Sequence, residues 1–302
     1  MSCERRETSL ASLRMHILDS SLRSEWQLKN PIYTFITMKK TFFLSFVLLM
    51  AAVGAWAQPK ELWVKNGNRN IYGVLNRPQD ATGDKFPLAI IVHGFNGTHD
   101  WGKNYFDTFS SLGYMCYTFD FPNGSVGSRS GNNTMEMSVL DEQHDLEAII
   151  KYFKTRNDVD STHIVLVGES QGGLVSALTA AYNPEEISQL VLVFPAIALG
   201  HSRDTRPIES LPDTMRVWNV PLGKRFYMEL RQIHAYDVIG RYEKPVLIIQ
   251  GDADNVVSLK SSELTLEKYK NARMHVISGA GHGFKPNEFK ESLEQIVKFL
   301  SE

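Results

Sequence analysis

Gly168-Glu169-Ser170-Gln171-Gly172 has the form G-x-S-x-G and stands between an apolar run, Ile164 to Val167, and a segment of helical periodicity from Leu174 to Ala181. A serine on such a strand-to-helix turn is held in a strained backbone conformation and presented beyond the carboxyl end of its strand. The helix is expected to open at Gly173. A serine hydroxyl is a poor nucleophile at neutral pH, so it needs a base to take its proton and a carboxylate to orient that base. Gly251-Asp252-Ala253-Asp254 follows an apolar strand, and Gly279-Ala280-Gly281-His282-Gly283 follows another. The run from Gly251 to Val257 fits G-x-x-D-x-x-V, which puts the acid at Asp254 and leaves Asp252 as a turn former. His282 is the one histidine in a glycine-flanked loop past the last strand. His275 lies inside a strand and is expected in the core, whereas His144 and His163 are expected at the solvated surface.

The order Ser170, Asp254, His282 is the chain order of α/β-hydrolases. Each residue lies just past a strand end, where ligands bind in open α/β sheets. Acyl transfer also needs donors aimed at the oxyanion of the tetrahedral intermediate. His93-Gly94-Phe95-Asn96-Gly97 follows the strand Leu88 to Val92, so the backbone N–H groups of Phe95 and Gln171 are the candidate pair, with His93 fixing the loop.

These residues require a scaffold of strand ends. Short, continuously apolar runs (88–92, 115–119, 164–167, 190–194, 246–249 and 274–277) alternate with helical periodicity over 139–153, 174–181, 259–269 and 289–300. That rhythm predicts a mostly parallel, doubly wound α/β sheet. Two β-like runs before it, 62–64 and 71–75, flank the turn signal Asn66-Gly67-Asn68 and are expected to form an antiparallel edge. Residues 196–244 break the rhythm, with Pro207, Pro212, Pro221 and several aromatics and no clear sheet strand; they are expected to form an inserted cap, or else an extra packed layer without substrate contact. Cys116, in the run Met115 to Phe119, is expected to be a core thiol.

The chain has 302 residues, with 32 basic against 34 acidic side chains, and offers no general field for nucleic acid. Lys39-Lys40, the apolar run Thr41 to Val53 and Ala55-Trp56-Ala57 read as a signal peptide over 38–57, with residues 1–37 an upstream extension ahead of a true start at Met38. The apolar run is shorter than the roughly 20 residues of a spanning helix, so no stable membrane insertion is expected after cleavage. The seven basic and four acidic residues before Gln58 leave 25 against 30 in 58–302, a net charge of −5, with Cys116 alone. The sequence shows no metal-ligand spacing, no C-x-x-C and no phosphate loop; the glycine-rich stretch from Asp120 to Gly131 lacks dinucleotide spacing and is expected to be a shaped loop at the site rim. No cofactor is expected. Asn96-Gly97-Thr98 is formally a glycan acceptor, but a glycan there would crowd the oxyanion loop, which favours a bacterial export route to the periplasm or medium.

The set His93-Gly94-Phe95, Gly168-x-Ser170-Gln171-Gly172-Gly173, Pro195-Ala196, a cap of about 50 residues, Gly251-x-x-Asp254-x-x-Val257 and Gly281-His282 resembles the bacterial feruloyl (cinnamoyl) esterases of the α/β-hydrolase superfamily, from Lys60 onward. The resemblance implies Ser170 as nucleophile, His282 as base, Asp254 as orienting acid, Phe95 and Gln171 as oxyanion donors, and a cap closing over a phenolic ring, with Trp218 and Tyr227 as candidate contacts. Glu169 stands where that family usually has His, and Gly124-Ser125-Val126-Gly127-Ser128 carries one residue more than the usual G-x-G-x-S. The expected substrate is a small ester or a feruloylated oligosaccharide. An acetyl or short-chain carboxylesterase and a monoacylglycerol-type lipase share the machinery. A non-catalytic binding protein would be signalled by loss of one of the three residues, and all three are present.

Overall fold

Strands β1 (Lys60–Asn66) and β2 (Arg69–Asn76) pair antiparallel around the two-residue turn Gly67-Asn68, where Gly67 takes φ +58. Such a turn matches the twist of the strands it joins, and glycine reaches positive φ without a Cβ clash. The computed structural model describes residues 58–78, 83–201 and 205–302; the expected extension 1–37 and signal segment 38–57 lie outside the described residues. Among the described residues, no helix is long and apolar enough to cross a membrane.

The strands that follow are β3 (Phe86–Val92), β4 (Met115–Phe119), β5 (Val159–Glu169), β6 (Gln189–Val193), β7 (Thr214–Val217), β8 (Val220–Gly223), β9 (Val246–Gly251) and β10 (Ala272–Ile277). Eight of them form one sheet in the order β1-β2-β4-β3-β5-β6-β9-β10, parallel from β4 to β10. β2 runs antiparallel to β4, so the antiparallel pair forms one edge as expected.

The helices are α1 (His99–Gly102), α2 (Phe106–Ser111), α3 (Val139–Lys154), α4 (Gln171–Tyr182), α5 (Lys224–Ile233), α6 (Ala235–Val238), α7 (Leu259–Lys268) and α8 (Pro286–Leu300). Successive side chains on a strand point to opposite faces, and the strands fill two cores accordingly. Leu88, Ile90 and Val92 pack with α3 and α4 on one face, while Ala89 and Ile91 pack with Tyr105, α2 and the Ile296-Phe299 side of α8 on the other. Cys116 is buried in the second core, and burial pushes its thiol pKa well up. This is why the central strands are apolar without alternation.

Three expectations are corrected. α4 opens at Gln171 rather than Gly173, because the chain enters the helix directly from the turn at Ser170. His275 is half-buried, not a core residue: β10 is the outer strand, and the imidazole meets Glu291 of α8 at 2.7 Å. Residues 196–244, in which no clear sheet strand is expected, contain the antiparallel hairpin β7-β8, whose turn residues Trp218 and Asn219 both take positive φ. The hairpin forms a separate two-stranded sheet, followed by α5 and α6.

Candidate active site

Ser170 stands between β5 and α4 with φ 51 and ψ −118, a conformation that side chains other than glycine rarely adopt. Two backbone bonds hold it there: its N–H donates to Val193 O at 3.0 Å, and its carbonyl accepts from Ala196 N–H at 2.9 Å. The flanking glycines are steric requirements. A Cβ at Gly172 would fall on the carbonyl oxygens of Val92 and His93, and one at Gly168 would fall on Gly172 O and Ser176 Oγ.

The structure brings the three expected side chains together. His282 Nε2 lies 3.0 Å from Ser170 Oγ, and His282 Nδ1 lies 2.8 Å from Asp254 Oδ2. Asp254 is itself fixed: its Oδ1 accepts from the N–H groups of Val256 (2.8 Å) and Val257 (2.9 Å), and its Oδ2 from Gln250 Nε2 (3.2 Å). Asp252 points elsewhere, accepting from Gly279 N–H at 2.6 Å. The ring of Phe194, in a residue with φ 36, packs 4.8 Å from the His282 ring. With Nδ1–H directed at a carboxylate, the imidazole presents an unprotonated Nε2 to the hydroxyl, the tautomer that general-base catalysis requires.

The expected oxyanion donors come from two sides of Ser170. Gln171 N–H is a first-turn amide of α4, without an intrahelical acceptor and at the positive end of the helix dipole. Phe95 follows β3 in a loop so close that a Cβ at Gly94 would lie 3.0 Å from Ser170 Cβ. His93 fixes that loop. Its Nε2 accepts from Phe121 N–H at 3.2 Å, so Nδ1 carries the hydrogen and donates to Gly94 O at 2.8 Å, and burial lowers the imidazole pKa so that the ring stays neutral. Asn96, at φ 55, accepts from Val126 N–H (3.0 Å) and Ser125 Oγ (3.2 Å), tying the glycine-rich loop to the oxyanion loop. His144 and His163 are exposed, and His163 bonds its neighbour Asp160.

A cavity of about 530 Å³ opens on Ser170. Phe95, Gln171 and Ala196 line it near Ser170; Leu199, Val217, Trp218, Leu222, Phe226 and Tyr227 come from the inserted segment, and Val256, Val257, Ser258 and Ser261 close the far side. Trp218 and Tyr227 therefore both face the site. Trp218 is 64 % exposed and sits edge-on to Phe95 at 5.8 Å, so it belongs to the rim and Tyr227, half-buried, to the wall.

Two buried acids have no counterpart among the sequence expectations. Glu142 of α3 accepts from the Gln171 side-chain amide at 3.1 and 2.8 Å, and burial raises its pKa to about 8. Glu169, next to Ser170, accepts from Tyr105 Oη on the opposite face of the sheet, and burial raises it to about 7. Only the unusual residue at 169 is visible in the sequence. Glu142 lies within an ordinary amphipathic helix.

A family profile described as alpha/beta hydrolase fold matches residues 87–228. The putative esterase/lipase 2 of Mycoplasma pneumoniae is 26 % identical over 64 % of this chain and 81 % of its own length. The monoacylglycerol lipase ABHD6 of Rattus norvegicus is 20 % identical, over 71 % of this chain and 75 % of its own. Among solved structures, Est1E from Butyrivibrio proteoclasticus with bound ferulic acid superposes with a TM-score of 0.71 at 23 % identity, covering 79 % of this chain and 97 % of that one. The profile's span runs from β3 through the turn at Ser170 into the inserted segment and stops short of Asp254 and His282; the chain has the α/β-hydrolase fold and is a hydrolase of the esterase/lipase type.

Proposed function

We propose that the chain is an exported serine esterase that releases hydroxycinnamic acids from plant cell-wall polysaccharide. The observation that carries this reading is the aromatic-rimmed cavity over Ser170, in which Phe95, Trp218, Phe226 and Tyr227 offer ring faces and edges to a planar acyl group. The ferulic acid bound by Est1E supports the same acyl class.

In this reading His282 Nε2 takes the Ser170 hydroxyl proton as Oγ bonds to the ester carbonyl carbon. The carbonyl oxygen becomes an oxyanion facing the N–H groups of Phe95 and Gln171. Collapse breaks the bond to the sugar oxygen, which leaves with the proton held by His282, and an acyl-enzyme remains on Ser170. Water then attacks by the same steps in reverse order of roles, releasing the acid and restoring the serine. Asp254 keeps the ring oriented and balances its charge throughout.

A second reading, a short-chain or monoacylglycerol esterase, is favoured by the aliphatic part of the same lining, Leu199, Val217, Leu222, Val256 and Val257, and by the names of the relatives. Hydrolysis of methyl ferulate, an acetyl ester and a long-chain monoacylglycerol by the purified protein separates the two. The hydroxycinnamate reading expects the highest kcat/KM on ferulate; negligible ferulate turnover beside fast acetyl or acylglycerol hydrolysis overturns it.

A further inference from the structure

We infer that His201, His234 and Asp237 form a binding site for one divalent transition-metal ion, zinc by donor chemistry, which ties the start of the inserted segment to its end. The site is separate from Ser170 and does not rest on the esterase reading. One donor atom from each of the three residues lies within 4.8 Å of the other two. The 32 residues between His201 and His234 place this grouping beyond any local ligand spacing, which is why the sequence shows no metal pattern.

Each residue is held by a different local feature. His201 ends a short 3-10 turn, Ile197–His201, that follows the nucleophile's neighbour Ala196. His234 joins α5 to α6 at φ 48 and ψ 49, and Asp237 lies three residues on, within α6. Asp237 N–H donates to His234 O at 2.9 Å, which fixes the pair to each other. The half-buried His201 ring packs against Tyr236 at 5.2 Å and His234 at 6.1 Å, and its buried Nδ1 has no hydrogen-bond partner among the described residues. A buried polar nitrogen without a partner is costly, and a cation is one way to satisfy such a ring.

Two imidazole nitrogens and one carboxylate oxygen, with water completing the shell, suit zinc; calcium and magnesium select oxygen ligands alone. Tetrahedral zinc, with bonds of about 2.0–2.1 Å, places its ligands roughly 3.3 Å apart. The donors therefore draw together by about 1.5 Å at most from the 4.8 Å separation, within the torsional reach of the exposed His234 and Asp237 side chains. Ala198, Ser258 and Ser261 line both the Ser170 cavity and the shallow pocket beside His201, so the ion would stand behind the cavity wall and stiffen it without touching substrate.

The test titrates zinc ion alone into chelator-treated protein, read by calorimetry and by thermal unfolding, with cobalt(II) replacing zinc for its visible spectrum. One equivalent should bind, raise the melting temperature and give the absorption of a four-coordinate cobalt site. His234→Asn, with asparagine tolerated at positive φ, and Asp237→Asn should each weaken binding by about 100-fold and remove the thermal shift. Ester hydrolysis by both variants without metal should match the parent, which shows that they fold. Absence of binding at a tenfold excess of zinc overturns the inference. So does binding that both substitutions leave unchanged, which would place the ion at the surface pairs His163-Asp160 or His275-Glu291.

Discussion

The side-chain amide of Gln171 donates to both carboxylate oxygens of Glu142, so the residue that follows Ser170 is held from behind by a buried acid on another helix. The arrangement continues outward. Ser138, the N-cap of α3, bonds Glu229 of α5, and Asp141 pairs with Arg225 of the same helix. One end of α3 thus meets both the oxyanion side of the nucleophile turn and the inserted segment.

Glu142→Ala would leave the buried Gln171 amide with only the weak acceptor Met137 Sδ, at 3.9 Å. The expected cost is about 1–3 kcal/mol of stability, measured by urea unfolding. kcat should fall with it, by less than the roughly 10²–10³-fold that outright loss of an oxyanion donor costs. Glu142→Gln restores a hydrogen-bond partner and should recover most of both. Parental stability and kcat in the alanine variant would show that the contact does not position Gln171.

The two buried acids set a pH dependence of stability. Both have folded pKa values raised by burial above the ordinary 4.5, Glu142 to about 8 and Glu169 to about 7. The folded state therefore holds protons that the unfolded state has lost, and stability falls as pH rises. Their contribution is complete below about pH 4.5, declines as pH rises above it, and is lost once pH has passed about 7 for Glu169 and about 8 for Glu142. The double substitution Glu142→Gln with Glu169→Gln should flatten the melting temperature between pH 6 and about 8.5 relative to the parent. Identical slopes in the two proteins would contradict this.

The neighbouring aspartates make opposite predictions. Asp254→Asn should lower kcat by about 10⁴-fold through the wrong imidazole tautomer, with the fold intact by circular dichroism. Asp252→Asn disturbs only the bond to Gly279 N–H and should keep kcat within about threefold, since a surface turn contact is worth on the order of 1 kcal/mol or less. A large kcat loss at Asp252 with none at Asp254 would reverse the assignment.

Trp218→Ala and Tyr227→Ala test recognition of the acyl group. A ring contact worth about 0.5–1.5 kcal/mol corresponds to a roughly 2- to 12-fold loss in kcat/KM for methyl ferulate, with little change for an acetyl ester too small to reach either ring. Equal losses on both esters would mean that these rings only pack the inserted segment onto the body.

What is legible in the sequence follows from where the information resides. Ser170, Asp254 and His282 each follow an apolar run of strand length, and glycine spacing around them reports local backbone geometry, so local signals alone point to their convergence. The edge position of β10 has no such signal: Met274-His275-Val276-Ile277 is as apolar as an inner strand, and only the strand order shows that His275 reaches solvent at α8. The hairpin β7-β8 is hidden because four-residue strands carry too little periodicity, and Trp218-Asn219 is not a glycine turn. Glu142 and Glu169 look like surface charges because their burial is decided by Gln171 and Tyr105, partners remote in sequence.

The two backbone bonds of Ser170, to Val193 O and from Ala196 N–H, bear on how this scaffold can be re-engineered. They register the nucleophile against the strand from which the inserted segment departs, upstream of every residue of that segment that lines the cavity except Ala196 itself. A transplanted specificity module joined after Ala196 would inherit the nucleophile's alignment from the host, whereas a junction placed before Val193 would have to rebuild it.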